Sequence, residues 1–157
     1  MEKDTLTFNN LQQVLDDFTK DVAETYKSLL LRDGKNATGE LISSIKPMTP
    51  ELVDGAFQCS LSLAPHWKYV ENGRKAGKFP PIDNILDWVK AKPQLARPNR
   101  LDRKEITPKQ LAFLVARKIA AKGIQPGNQL SEAMDIAYAR WKDRIDAAIT
   151  ADIETIL

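Results

Sequence analysis

The feature that most constrains the fold is an apolar stripe with helical spacing over residues 10–31. Its members recur at intervals of three and four residues, which places them on one face of an α-helix: Leu11, Val14, Leu15, Phe18, Val22, Tyr26, Leu29 and Leu30. Asn9 or Asn10 is suited to cap the start of this helix. Gly34 permits the left-handed conformation that commonly ends one. The sequence therefore predicts a long amphipathic N-terminal helix.

A second stripe predicts a long C-terminal helix over residues 131–157. Its members are Leu130, Met134, Ala137, Trp141, Ile145, Ala148, Ile149, Ile153 and Ile156. Ser131 is suited to cap its start. The stripe spans about seven turns, which is long for a domain of this size. We therefore expect its distal part to lean on a neighbouring subunit.

Between these helices, residues 52–64 have the alternation of a β-strand. Phe57, Cys59, Leu61 and Leu63 alternate with polar residues, which is the period of two that a half-buried strand shows. Asp54-Gly55 is a hairpin-type turn signal. We therefore predict a small antiparallel sheet around residues 45–64, in which 45–48 pairs with 56–64 and Cys59 is buried.

Three further segments have helical signals. Residues 66–71 form a short helix that ends at Asn72-Gly73, and residues 82–91 follow a proline pair with an inward stripe of Ile82, Ile85, Leu86 and Val89. Thr107-Pro108 opens a helix that Gly123 closes. Residues 93–106 are a basic linker rich in Pro and Arg. The prediction is one α+β domain over residues 1–157, with an N-terminal helix, a small antiparallel sheet around 45–64 and, besides the short helix at 66–71, three further helices including the long C-terminal one.

Composition and charge narrow the classes of protein. A length of 157 residues fits one domain, a single cysteine excludes an internal disulfide, and the absence of a long apolar run argues against a membrane span. The first residues lack the features of a signal peptide, so we expect the chain to be made in a cytoplasm. Residues 67–122 carry a net charge of +9, whereas the segments on either side are acidic. A basic middle fits either nucleic acid or the acidic segments of a second copy.

The pattern gives little support to catalysis, and we expect no enzyme activity, no cofactor and no metal site. The lone His66 has no motif around it, and Asp83 with Asp87 is better explained by the dipole of the helix they begin. The sequence at 74–78 is basic and contains Gly, but lacks the spacing of a phosphate-binding loop. Aromatic residues and prolines on turns instead favour protein–protein contact. The predicted interface residues are Trp67, Tyr69, Glu71, Phe79, Pro80, Pro81 and Trp141.

Short motifs follow one another in a characteristic order over residues 36–135. They are Thr38-Gly39-Glu40-Leu41 with Ser44-Ile45, Tyr69-Val70-Glu71-Asn72-Gly73, Phe79-Pro80-Pro81-Ile82 with Trp88-Val89-Lys90, Gln110-Leu111-Ala112-Phe113 with Ala116-Arg117-Lys118-Ile119, and Lys122-Gly123-Ile124. This order resembles the small tail-completion or head–tail connector proteins of tailed bacteriophages. The chain departs from the common shorter pattern in its linker at 93–104 and its long final helix.

The resemblance implies a structural protein of the virion, located at the neck or tail and assembled in the host cytoplasm. It implies a homo-oligomeric ring, twelve-fold or six-fold, that contacts portal or adaptor and tail tube proteins and through which DNA passes. A ring of this kind uses a heterologous interface, for which acidic ends and a basic middle are suited. The residues expected to face the DNA lumen or a neighbouring protein are Arg74, Lys75, Lys78, Arg97, Arg100 and Arg103.

Two other functions stay open at this point. The basic middle is compatible with a cytoplasmic module that binds nucleic acid without reading its sequence, and a steep salt dependence of DNA affinity would favour it. A small regulatory or toxin–antitoxin partner protein is supported by size alone.

Overall fold

A computed structural model of the chain describes residues 7–35, 39–92 and 106–157. The described residues form an α+β fold dominated by helices, as the sequence predicts. In chain order the elements are α1 (Asn9–Arg32), α2 (Glu40–Ser44), β1 (Lys46–Pro47), β2 (Glu51–Val53), β3 (Ala56–Gln58), β4 (Leu61–Ser62), α3 (Trp67–Asn72), α4 (Ile82–Lys90), α5 (Pro108–Lys122) and α6 (Gln129–Ile156). The linker predicted at 93–106 lies outside the described residues except for Ile106.

The chain divides into two compact units. Unit 1 comprises Met1–Asp33, Ile42–Ala64 and Gln129–Leu157, and unit 2 comprises Gly34–Leu41 and Pro65–Asn128. Each unit has its own packed residues, so each is described by itself below. The prediction of a single domain over 1–157 stays a prediction.

Unit 1 is built on an antiparallel pair of long helices, α1 and α6. Near one end of the pair, Asn10 of α1 donates to Asp152 of α6. In the middle, Asp21 accepts hydrogen bonds from Arg140 and Trp141. Near the other end, Arg32 contacts Glu132. These contacts recur about every eleven residues along α1, which is three helical turns, so they lie on one face and fix the register of the pair.

The N-terminus of α1 is capped by α6 and not by its own sequence. Asn9 and Asn10 lie inside the helix, and Phe8 at the cap position makes no side-chain cap. Asp152 replaces that cap, since its Oδ1 accepts from Asn10 N at 3.1 Å and its Oδ2 accepts from Leu11 N at 2.8 Å. The predicted asparagine cap is therefore wrong, because the free N–H groups of the first turn are hydrogen-bonded to a carboxylate that is distant in sequence.

The stripe predicted to be the buried face of α6 is only partly correct. The buried positions are Gln129, Ala133, Ala137, Ala148 and Asp152. Met134, Ile153 and Ile156 are exposed. The small alanines let α1 approach α6 closely, so the interface follows the alanines and leaves the larger residues at its side.

The predicted antiparallel sheet is present as two separate two-stranded ladders in unit 1. β1 pairs with β4, and β2 pairs with β3 around Asp54-Gly55, whose φ values of 50° and 80° suit the tight turn. The period of two does not continue through the segment, because β3 ends at Gln58 and β4 begins at Leu61. Cys59 lies in this break and is exposed, so its predicted burial is wrong.

Unit 2 is built on the packing of α4 against α5. Its core is formed by Ile85 and Val89 of α4 with Ala112 and Ala116 of α5. Thr107 caps α5 as predicted: its Oγ1 accepts from Gln110 N, and the Gln110 side chain accepts from Thr107 N. Ile82, predicted to face inward, is exposed at the start of α4.

Candidate interaction surface

Two segments of unit 2, Gly73-Arg74 and Gly123-Ile124, cross each other in direct backbone contact, and each is called a crossing below. Arg74 N donates to Ile124 O at 2.9 Å, and Ile124 N donates to Arg74 O at 2.7 Å. Both glycines have a positive φ, and a Cβ on either would stand 2.2 Å from a backbone oxygen of the opposite crossing. Glycine is therefore required at both positions by conformation and by space.

This crossing holds the basic loop, Arg74–Lys78, against the end of α5. Gly77 N donates to Ala120 O at 2.8 Å, and the Arg74 side chain folds back to Lys78 O at 3.3 Å. Lys75 and Lys78 are exposed, whereas Arg74 is half-buried. Lys122, which directly precedes Gly123 at the end of α5, is also exposed.

Charge is separated between the two compact units. Over the described residues, unit 2 contains eleven Lys and Arg against four Asp and Glu, a net charge of +7. Unit 1 contains seven Lys and Arg against thirteen Asp and Glu, a net charge of −6. Six ion pairs between described residues lie in unit 1.

Unit 2 also exposes an aromatic patch, which we define as Phe79, Phe113 and Leu114. The ring centroids of Phe79 and Phe113 are 5.7 Å apart, and all three side chains are exposed. Next to the rings lies an open depression of about 510 Å³ lined by Ile106, Lys109, Gln110, Phe113 and Leu114. An apolar surface with large aromatic side chains and a cationic margin has the composition of a protein-binding site.

The predicted interface residues divide into exposed and buried ones. Tyr69, Phe79 and Pro81 are exposed, and Trp67 is half-buried. Glu71 and Pro80 are buried, and Glu71 O accepts hydrogen bonds from Gly127 N and Asn128 N.

Trp141 is half-buried, and its Nε1 donates to Asp21 at 3.0 Å. Glu71 and Pro80 are thus buried in unit 2, and Trp141 is hydrogen-bonded to α1 in unit 1. The assignment of the seven residues to an interface stays a prediction.

The predicted lumen residues are only partly described. Arg74, Lys75 and Lys78 share the basic loop, whereas Arg97, Arg100 and Arg103 lie outside the described residues. The sequence analysis missed Phe113 and Leu114 as surface residues. A helical wheel of α5 could have found them, because the inward face is set by the small residues Ala112 and Ala116.

The electrostatics of unit 1 favour ionised carboxylates at both ends of the α1–α6 pair. Hydrogen bonds from Arg32 lower the pKa of Glu132. Burial acts to raise the pKa of Asp152, but the hydrogen bonds from Leu11 N, Asn10 N and Asn10 Nδ2 outweigh it and the pKa lies below its ordinary value. These shifts follow from the pairing of α1 with α6, so they indicate structural contacts between the two helices.

Two other kinds of site were sought in the described ranges. No cluster of three or more His, Cys, Asp or Glu side chains there could hold a metal ion. Among the same residues, no helix is both long enough and apolar enough to cross a membrane.

No family model, no curated protein and no solved structure matches the chain.

Proposed function

We propose that this protein is a non-enzymatic structural subunit of the head–tail connector of a tailed phage, where copies of it form a ring of twelve or six around the DNA path. The observation that carries the proposal is the separation of charge between the two compact units, net −6 on unit 1 and net +7 on unit 2. The motif order of residues 36–135 supports the phage assignment.

Charge separation of this kind favours head-to-tail association. In a ring each subunit presents one face to the subunit before it and a different face to the subunit after it. Opposite charges on the two faces attract, whereas two copies meeting through the same face repel each other, and such complementarity sets register and suppresses wrong pairings. The separation of charge therefore favours contacts between unlike units, which a ring makes at every interface.

The basic loop supports a role beside DNA. Lys75 and Lys78 are exposed on a segment whose backbone is tied to α5 through Gly77. Lysines held this way attract phosphate groups without reading bases, so DNA can slide past them. Arg97, Arg100 and Arg103 are expected to add to this surface, or to face acidic regions of portal, adaptor or tail tube proteins.

Quantitative mass spectrometry of purified phage particles tests the proposal. The copy number of this chain is measured against those of the portal and the major capsid protein in the same digest. We expect about as many copies as the portal for a portal-matched ring, or half that number for a ring at the tail tube. Absence of the chain from well-purified particles would overturn the proposal.

A second function, binding of nucleic acid outside the virion, is favoured by one observation. Helix α5 has four basic residues, Lys109, Arg117, Lys118 and Lys122, and no acidic residue. If this surface binds DNA in the isolated protein, log affinity falls steeply with log salt.

Paired substitutions in the isolated protein test that function. Replacing both Lys75 and Lys78 by Gln is then expected to reduce the salt slope by about two, because each phosphate contact contributes about 0.9. The matched control replaces Lys20 and Lys27 of α1, which pair with acidic residues of their own helix, and leaves the slope unchanged. Affinity that is weak and independent of salt would exclude this second function.

A further inference from the structure

The aromatic patch lies on the outward face of α5. Ala112 and Ala116 point to α4, so Phe113 and Leu114 are turned away from the core of unit 2. Phe79 and Phe113 keep 46% and 48% of their surface exposed. Aromatic side chains of this kind supply a large share of the binding free energy at protein interfaces. A monomer gains nothing by exposing them together.

The surroundings of the aromatic patch are cationic. Lys78 precedes Phe79, Lys109 lines the depression, and Arg117 follows Phe113 by one helical turn. Among the described residues no acidic side chain lines the depression, and the two exposed acidic residues of α4, Asp83 and Asp87, are outside that lining. A partner for this patch must therefore be apolar at its centre and acidic around it.

Unit 1 offers a surface with that composition. Along one side of α6 lie six large apolar side chains, which we call the α6 stripe and which the exposed Lys142 interrupts: Met134, Tyr138, Ile145, Ile149, Ile153 and Ile156. Ile145 and Ile149 are half-buried, and the other four are exposed. Met134 and Tyr138 are 52% and 59% exposed, although they flank the alanines that contact α1. Asp135 and Asp146 border the stripe, and α6 as a whole has six acidic and three basic residues. The stripe is about 33 Å long, long enough for an extended helical contact.

We infer that the aromatic patch of one copy binds the α6 stripe of a second copy, so that unit 2 of one subunit joins unit 1 of the next. This inference rests on the proposed ring, and it names the two faces that meet. Pairing of patch with patch would bring cations together, and pairing of stripe with stripe would bring carboxylates together. Only the mixed pairing joins opposite charges around an apolar centre, with the helix lying against the depression.

Mixing two variants that are each damaged on one face tests the inference. Phe113→Asp damages the aromatic patch and leaves the α6 stripe intact, whereas Tyr138→Lys damages the stripe and leaves the patch intact. Both side chains are exposed, so both variants are expected to fold, which circular dichroism and thermal unfolding verify. Each variant alone is expected to self-associate at least about thirtyfold more weakly than the wild type, the effect of an interface hot spot.

The mixture of the two variants is the decisive sample. It retains one intact patch and one intact stripe, so it is expected to form a heterodimer that grows no further. Isotope-labelled Tyr138→Lys is titrated with unlabelled Phe113→Asp up to about 1 mM and followed by nuclear magnetic resonance. We expect shifts on α5 and around Phe79. Leu52→Asp, at an exposed apolar residue of β2, is the matched control and associates like the wild type.

Several outcomes would overturn the inference. The first is the absence of chemical shift changes at 1 mM. The second is self-association of Phe113→Asp or of Tyr138→Lys equal to that of the wild type. The third is that Phe113→Asp loses binding to a single-stranded oligonucleotide while no contact between subunits is detected, which would assign the aromatic patch to nucleic acid. The particle measurement is independent of this titration. If the chain is present in particles but the titration gives no chemical shift changes, the interface is refuted and the connector assignment is kept. A positive titration with the chain absent from particles refutes the connector and keeps the interface.

Discussion

The contact between the Gly73 and Gly123 crossings gives the sharpest prediction, because the chain contains a matched control. Gly123 and Gly34 both lie in unit 2 and have φ values of +73° and +63°. An added Cβ at Gly34 meets nothing within 4 Å, whereas at Gly123 it stands 2.2 Å from Arg74 O. Gly34→Ala and Gly123→Ala therefore share the cost of an alanine at positive φ, and Gly123→Ala adds the collision at a backbone position whose ψ of −167° is almost confined to glycine.

The expected magnitudes follow from these two terms. A left-handed alanine costs about 1 kcal/mol, which is the whole effect at Gly34. At Gly123 the crossing must also open by more than 1 Å, which breaks the hydrogen bonds between Arg74 and Ile124 at roughly 1 kcal/mol each. We therefore expect about 3 kcal/mol for Gly123→Ala, or a fall in melting temperature of about 6–12 °C against about 2–4 °C for Gly34→Ala.

Calorimetry and hydrogen exchange measure the difference. In Gly123→Ala the Arg74 and Ile124 amides are expected to lose their protection, whereas Gly34→Ala keeps it. Equal destabilisation by the two substitutions, or full protection of both amides in Gly123→Ala, would refute the close approach of the crossings. Either result would also contradict the argument that this contact holds the basic loop against the end of α5.

Three further predictions concern unit 1. Asp152→Asn is expected to lower the free energy of unfolding at neutral pH, whereas the control Glu154→Gln is not. Because the pKa of Asp152 is lowered on folding, its contribution to stability is present above about pH 4 and is lost as the pH falls through the folded pKa. The stabilities of wild type and Asp152→Asn are therefore expected to converge in acid, and a difference that stays constant with pH would contradict the cap. Leu30→Ala, at a fully buried position, is expected to cost about 2–5 kcal/mol in denaturant unfolding, whereas Leu31→Ala, at a side chain 57% exposed, costs under about 1 kcal/mol, and equal costs would contradict the packing of α1. Cys59 is expected to react with a thiol reagent in the native protein at nearly the rate seen in denaturant, and strong protection would contradict its exposure.

The helices could be predicted from sequence because their signals are local. Thr107-Pro108 carries its own cap, and Gly123 its own stop, so α5 begins and ends where the sequence indicates. The same holds for Gly73 at the end of α3. These signals act within a few residues and need no knowledge of the fold.

The misplaced features depend on distant partners. The cap of α1 comes from Asp152, which no local pattern could reveal. The buried face of α6 follows the alanines that contact α1, whereas hydrophobicity alone selects the larger residues Met134 and Ile153. Cys59 fits the alternation of a strand, but the pairing of β2 with β3 ends the ladder before it.

At the candidate site, the exposure of Lys75, Lys78 and Phe79 agrees with the prediction that they lie on a surface, and their function stays a prediction. The sequence could not identify Phe113 as the partner of Phe79, because the two rings meet only through the packing of α4 on α5. Nor could it predict that Glu71 and Pro80 would be buried. Glu71 lies in α3, and its carbonyl accepts from Gly127 N and Asn128 N, which are distant in sequence.

The pairing of α1 with α6 has a consequence for how the protein folds. The contacts that fix this pair join residues 142, 120 and 100 positions apart in sequence. Contacts of such separation form slowly, because a long loop must close before they gain any free energy. Unit 2 assembles from segments closer together, so α4 and α5 can pack while α1 still lacks its partner. During that interval the apolar face of α1 is open to aggregation, and unit 1 is expected to set the folding rate of the whole chain.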